Sequence, residues 1–457
     1  MNPRVAVKNF VDRFLCDDRF RAELRIDPVA ATKGRGLSAD PHQLRVVWDP
    51  PYRERLRALS TDSSELPELT RILLEQKAAT TAYQERMCVE SRPDDARYRD
   101  WRHRQINRCR LSLTGPNAAY IPHVPYAIEL SKGCSIGCWF CGVDAPRLDG
   151  HFRHTTDNQN LFVGILERLR DLLGPICGSW GFLYWATDPL DNPDYELFCE
   201  DFRSIFGRFP VMTTAQAHRQ LPRVRNYLTA ARSAGRPRTR FSILSLPILE
   251  RLVGFLDEEE LLQTDIVPMT PRSLLRPALT GRALRDPRSH RAAEDHDVGD
   301  RAQTIACVSG FLVNMVEKSV KLITPCAGSD EWSLGYKVHA IESFSSAADF
   351  DQAVRRCIDE QMGRATTAGR IRTLRGITVE TSAERFVLRS PAGTVQVQCG
   401  DVMMEIVQRL EAGDLDVAEL VADVDATFGI GVDVIADCID DLEELGFLET
   451  ADSVVVA

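Results

Sequence analysis

No stretch of this chain stays apolar for long enough to cross a bilayer, and its opening, Met-Asn-Pro-Arg-Val-Ala-Val-Lys, has no apolar core of the kind a secretory signal carries. These two absences lead us to expect a cytoplasmic protein with no membrane partner. There is no glycine-rich phosphate loop and no serine triad strong enough to set a function class. Excess positive charge is also missing: the formal net charge is −10, which disfavours general binding to a phosphate backbone, so nucleic acid is not an expected partner. Disulfide architecture is disfavoured as well. The thirteen cysteines are odd in number, most lack regular spacing, and 457 residues with 44% hydrophobic content are ample for sizeable cores without cross-links. The length alone gives a prior of about three domains.

The chain does have residues 131–142, Ser-Lys-Gly-Cys-Ser-Ile-Gly-Cys-Trp-Phe-Cys-Gly, with Cys134, Cys138 and Cys141 at the spacing C-x-x-x-C-x-x-C. Thiolates are soft ligands suited to iron–sulfur clusters, and closely spaced cysteines on a glycine-punctuated loop can reach one cluster together. Three ligands leave one iron of a four-iron cluster open to a small molecule. Half of a zinc site and ordinary core cysteines remain the alternatives from spacing alone.

Taken in order, residues 1–50 read as a small helical module. Val7, Phe10, Val11, Phe14, Leu15 and Leu24 fall near helical spacing before the Asp-Pro at 27–28. Residues 51–120 read as a helical connecting region, with an apolar cluster at Leu66, Leu69, Ile72, Leu73 and Leu74. An arginine-rich stretch at 97–110 is expected to be a helix whose charges face solvent, with peptide docking as the other use of a basic face. From 121 to 345 short apolar strands alternate with helical stretches. Strands are expected at 126–130, 180–185, 211–214, 241–245, 265–269 and 320–324, an alternation that argues for a parallel sheet closed fully or partly into a barrel. Reactive groups then gather at the strands' C-terminal ends, where the cysteine loop begins. Cys326, which ends the last of these strands, is expected at that mouth, and Cys307 on a helical run in the core. His151 and His154 read as solvated, and 280–300, including His290 and His296, as a mobile surface loop.

A linking helix is expected over 346–370, then a compact module over 371–457. The module has strand-like runs at 376–381, 385–390 and 394–399, followed by helical runs at 402–410, 417–428 and 432–445. Three strands followed by three helices describe a winged-helix-like domain. Its acidic helices, with Asp423, Asp425, Asp433, Asp437, Asp440, Asp441, Glu443 and Glu444, would repel nucleic acid phosphates, which leaves peptide binding or dimerisation.

The cysteine loop, with Phe140 before the third cysteine and Gly142 after it, resembles the signature of the radical S-adenosylmethionine (SAM) superfamily. That resemblance implies an α/β fold with a partial (β/α)6 barrel and a [4Fe-4S] cluster on Cys134, Cys138 and Cys141. It also implies SAM on the open iron, a cellular electron donor, and cleavage to a 5′-deoxyadenosyl radical. In the family a Gly-Gly-Glu-like turn holds the SAM amino group. Here the corresponding residues, Ala186, Thr187 and Asp188, depart from that pattern but keep a carboxylate. Phe140, Thr213, Ser242 and Ser245 complete the implied SAM contacts. The C-terminal module resembles the peptide-recognition element of enzymes that modify ribosomally made peptides, which implies a precursor peptide as partner, its leader added as a strand to a sheet edge. The first residues loosely resemble the helical leader region of nitrogen-fixation-type peptide precursors.

The stretches at 132–142, 185–195 and 322–326 are similar to the radical SAM epimerases of proteusin-type peptides. That likeness implies conversion of L- to D-residues, by removal of a Cα hydrogen and its return from a cysteine thiol, for which Cys326 is the candidate. A radical SAM maturase that forms a carbon–carbon or thioether cross-link is the alternative, and a non-catalytic metal-stabilised regulator is a third. No cysteine-rich extension and no cobalamin-binding region is apparent.

Overall fold

The computed structural model describes residues 2–58, 65–114, 118, 121–234, 238–289, 302–367, 369–382 and 385–450, and the fold is mixed α/β. It divides into two compact units that interleave along the chain. One comprises Met1–Arg86, Asp188–Arg203 and Gly207–Pro277; the other comprises Met87–Thr187, Ser204–Phe206 and Ala278–Ala457.

In the first unit the N-terminal helices are Pro3–Cys16, Asp18–Leu24 and Pro28–Lys33. Asn2, Asp17 and Asp27 cap them by accepting backbone N–H bonds, which satisfies donors that a helix start leaves open. Val7, Phe10, Phe20, Leu24 and Leu44 form their core. The same unit holds a parallel three-stranded sheet of Thr213–Thr214, Thr239–Ile243 and Thr264–Pro268, with helices Leu221–Ser233 and Leu246–Phe255 between successive strands. This is the β-α-β arrangement that the alternating pattern called for.

The second unit is built on a four-stranded sheet in the order Val124–Glu129, Val308–Asn314, Ser319–Pro325, Tyr336–Ser343. The first pair is parallel and the other two pairs are antiparallel. Three expectations need correcting here. The run that begins at Cys307 is a strand rather than a helix. All seven residues of Val308–Asn314 are buried, so neither face shows the alternation that marks a strand. The run at 320–324 is antiparallel. Only Met315 to Lys318 join it to the preceding strand, and a parallel return needs a crossover of about a dozen residues. Residues 180–185 form no strand, only one parallel bridge between Phe182 and Ala127. Gly181 lies under the Tyr126 ring, where an added Cβ would come within 2.1 Å. Among the described residues, the expected barrel strands therefore lie in two separate sheets.

The C-terminal module contains the antiparallel meander Thr378–Ser382, Arg385–Ser390 and Gly393–Gln398, and a second small sheet of Leu415–Asp416, Arg370–Thr373 and Leu448–Thr450. Helices Asp401–Glu411, Val417–Phe428 and Val432–Glu444 pack over a core that includes Ile371, Phe386, Leu388, Ile406, Leu420, Ile439 and Phe447.

The arginine-rich helix, Ala96–Ser112, does not turn all its charges to solvent. Arg102 and Arg104 are buried. Arg104 and Arg108 both pair with buried Glu443 at 3.2 Å, and Arg108 Nε donates to the Leu448 carbonyl at 2.7 Å. Buried charges persist only when paired, and here the pairing joins this helix to the C-terminal module. No described helix is long and apolar enough to cross a membrane.

Candidate metal centre

Glu129 ends the first strand, and the cysteine loop opens two residues later. Its stem is a two-stranded antiparallel ribbon, Ser131–Lys132 against Gly150–His151, so residues 133–149 form a closed loop. His151 sits in that ribbon, half-buried, with Nδ1 3.1 Å from Ser131 Oγ, rather than out in solvent. Gly133 has φ +78, and a Cβ there would lie 2.3 Å from the Arg147 carbonyl, so the backbone crossing excludes any side chain. Inside the loop Cys134 N donates to Pro146 O at 2.9 Å, Cys141 N to Cys138 O at 3.3 Å, and Asp144 N to Cys141 O at 3.1 Å.

Cys134, Cys138 and Cys141 are each half-buried and free of disulfides. Cys141 Sγ accepts the Ala145 N–H at 3.3 Å, a bond of the type that tunes thiolate ligands. Among the described residues no group of three or more His, Cys, Asp or Glu side chains converges as a mononuclear metal site. A cubane makes a different demand, one thiolate per iron, so its ligands need not meet at one point. The donor set, three soft thiols on one glycine-shaped loop, fits such a cluster chemically. Phe140 lies in the same loop, its ring perpendicular to that of Trp139 with centroids 5.3 Å apart.

Within the second unit, Ala186, with Thr187 next to it, is held by Glu129. Ala186 N donates to Glu129 Oε1 at 2.8 Å, and Asn314 Nδ2 donates to Glu129 Oε2 at 3.0 Å. Burial pushes the Glu129 carboxyl up to about 7 against the pull of these two bonds. Thr187 is buried, and the Trp185 ring meets that of Tyr336 edge-on at 5.9 Å. Glu129 and Asn314 were not singled out from sequence. The signal was one charged residue in an otherwise apolar strand directly before the cysteine loop.

Asp188, the first residue of the other unit's second segment, accepts from Thr214 Oγ1 and Ala215 N at 2.8 Å each and from Leu190 N at 3.0 Å. Burial pushes its carboxyl up to about 6. Thr213 Oγ1 accepts from Arg240 Nε at 2.9 Å. Ser242 lies half-buried on the strand Thr239–Ile243. Ser245 begins the helix Leu246–Phe255 without a side-chain cap bond.

Cys326 is buried, and its N–H donates to Gly335 O at 3.0 Å. The sheet argument that put it at a strand mouth fails. Its strand runs antiparallel, so Pro325 and Cys326 lie toward the Val308 end of the neighbouring strand, away from Asn314 and Glu129. Loop contacts nevertheless lead back toward the cysteines. Gly335 O also accepts from Thr304 Oγ1, Gly281 N donates to Ser333 O at 2.5 Å, and Arg282 N donates to Cys141 O at 2.8 Å. Burial pushes the Cys326 thiol up to about 12. Cys109, whose Sγ donates to Pro325 O at 3.2 Å, is pushed up to about 12 by the same cause. No sequence signal paired these two. Cys307 precedes its strand, half-buried against Cys109, Leu113, Ala118 and Ile121.

No family model matches this chain. A curated but uncharacterized protein of Sinorhizobium fredii is 30% identical over 453 residues, which cover 97% of this chain and 86% of that one. The solved structure titled BtrN in complex with AdoMet and 2-DOIA is 12% identical, with a TM-score of 0.30 over 43% of this chain and 70% of that one, a likeness too slight to bear on fold or activity.

Proposed function

We propose, for a chain that belongs to the family of the uncharacterized Sinorhizobium fredii protein y4wI, a radical SAM activity that converts L- to D-residues in a ribosomally made precursor peptide. The observation that carries this reading is the closed loop bearing Cys134, Cys138 and Cys141 directly after the strand Val124–Glu129. When bound there, a [4Fe-4S] cluster supplies the electron that cleaves SAM and so the carbon radical that takes a Cα hydrogen. The partial (β/α)6 barrel belongs to this proposal too.

The chain's own residues supply the rest. Ala186, Thr187 and Asp188 are the proposed SAM amino-group turn, braced by Glu129 through Ala186 N. A neighbouring ammonium would favour the ionised form of the Asp188 carboxyl, which burial raises to about 6. Phe140, Thr213, Ser242 and Ser245 are the remaining proposed contacts. Cys326 returns a hydrogen atom to the opposite face of Cα. Its buried thiol stays protonated at neutral pH, as a hydrogen donor requires. One Cα–H bond breaks and one forms, so the peptide's mass is unchanged, and the sulfur radical left behind takes up an electron from the cellular donor and a proton.

The C-terminal module is the proposed leader site. The strand Gly393–Gln398 forms one edge of its meander and is largely exposed, the arrangement that strand addition uses. The test is mass spectrometry of a precursor peptide, from a reading frame beside this one, after anaerobic incubation in deuterated water with reconstituted enzyme, reductant and SAM. Deuterium fixed at Cα with no other covalent change is the expected result. Net loss of hydrogen would instead identify a cross-linking enzyme, and no SAM cleavage at all would remove the radical SAM reading.

A further inference from the structure

Residues 280–288 were expected to belong to a mobile surface loop. Residues 290–301, with His290 and His296, lie outside the described residues, but 280–288 are packed against the cysteine loop. Gly281 has φ +55, and a Cβ there would come within 2.5 Å of the Gly142 carbonyl, so the two backbones cross in contact. Gly142 is equally confined, since a Cβ on it would meet Ile305 and the Thr280 hydroxyl at 2.6–2.7 Å. Arg282 then binds the loop at four points. Its backbone N–H donates to Cys141 O at 2.8 Å, its Nη1 to Cys138 O at 2.9 Å, its Nε to Asp144 Oδ1 at 3.1 Å, and its Nη2 to Ala145 O. Arg285 also binds Asp144, and the Arg288 guanidinium lies 4.5 Å from the Trp139 ring centroid.

We propose that Arg282 is a positioning residue that clamps residues 138–145 in the shape their thiols need and sets a fixed positive charge beside the cluster. This inference rests on the cluster reading of Cys134, Cys138 and Cys141. A single planar fork joins the carbonyls of Cys138 and Ala145 and the carboxylate of Asp144, so the segment between the second and third cysteines cannot open without breaking several charge-assisted bonds at once. Among the described residues, Arg282 and Arg285 face one carboxylate between them, Asp144, so cations outnumber it by one there. A cation there favours the more negative, reduced state of a thiolate-bound cluster.

The experiment compares the parent protein with Arg282→Ala, Arg282→Lys and Arg285→Ala in three measurements: amide hydrogen exchange of residues 133–149 in iron-free protein, iron retention against a chelator after anaerobic reconstitution, and the midpoint potential of the cluster. For Arg282→Ala, loop exchange should rise about tenfold or more, as expected when bonds to a charged group are lost. Iron retention should weaken by about tenfold or more, and the midpoint potential should fall. Arg282→Lys should keep most of the potential but exchange nearly as fast as the alanine variant, because an ammonium cannot bridge the same oxygens in a plane. Arg285→Ala should stay close to the parent in loop exchange and iron retention, because Arg282 keeps its bonds to Cys138, Cys141 and Ala145, while its midpoint potential should also fall. Parental exchange and parental iron retention in Arg282→Ala would overturn the proposal. If that variant fails to fold by circular dichroism, Arg282→Lys carries the same comparison, and parental exchange in it would equally overturn the clamp. If the parent itself takes up no cluster, the cluster reading fails, and exchange in the iron-free chain still decides whether Arg282 holds the loop.

Discussion

A thiol pushed up to about 12 by burial keeps its hydrogen throughout the physiological range, so Cys326 retains the S–H bond that the proposed hydrogen return needs and is poorly suited to act as a nucleophile. Cys326→Ala should leave 5′-deoxyadenosine formation intact and abolish D-residue formation, read by chromatography of the nucleoside and chiral analysis of the hydrolysed peptide. Cys109 is adjacent and in the same protonated state, so Cys109→Ala is the control that separates a specific donor from a shared thiol pocket. Glu129 makes a different prediction. Its carboxyl is raised from about 4.5 to about 7, so the folded chain holds this proton more tightly than the unfolded chain does. Its contribution to stability is therefore fully present below about pH 4.5 and is lost as pH rises toward 7, by up to about 3 kcal/mol from the size of the shift. Glu129→Gln removes that titration. The slope of melting temperature against pH between 4.5 and 7 should flatten in the variant, while Asp188, raised to about 6, continues to titrate.

The meander Thr378–Ser382, Arg385–Ser390, Gly393–Gln398 shows how much an element can reveal from its own pattern. Phe386 and Leu388 point into the core while their neighbours are more exposed, and Pro391-Ala392 make a short turn, so both the strands and their pairing follow from local sequence. The free edge of Gly393–Gln398 is also where the leader proposal can be tested. Residues of an antiparallel strand alternate between bonding inward and outward, so of two prolines placed singly at Val395 and Gln396, one falls on the outward-bonding position. That variant should keep its fold by circular dichroism and bind the precursor peptide about tenfold more weakly in fluorescence anisotropy, the loss of roughly one backbone hydrogen bond. Equal affinity in both variants would move the leader site elsewhere. The hairpin Val308–Asn314 to Ser319–Pro325 is the opposite case. Its first strand is buried along its whole length, so the period there carried no information, although the shortness of the connection limited the pair to an antiparallel turn.

Across the whole chain, the second unit brings together distant segments, some more than three hundred residues apart. Arg104 and Arg108 of the helix Ala96–Ser112 share Glu443 from the last long helix, Asn107 Nδ2 donates to Glu444 O at 2.6 Å, and Glu449 pairs with both Lys337 and Arg372. Removing one partner strands buried charge. Glu443→Ala should therefore cost about 3–5 kcal/mol in chemical denaturation of the second unit, whereas Glu419→Ala, on the exposed first turn of Val417–Phe428, should cost well under 1 kcal/mol.

Sequence alone determined what short-range chemistry determines: the helical runs, the strand-rich C-terminal module, and above all the cysteine loop, because ligand spacing, glycine placement and turn residues act over a dozen positions or fewer. Only the tertiary structure decided what faces what. It closed the loop with the Gly150–His151 strand, brought Arg282 onto it from more than a hundred residues away, drew Arg104 inward to Glu443, and turned the Cys326 strand antiparallel. These outcomes depend on burial and on long-range charge pairing, and neither leaves a periodic trace in the chain.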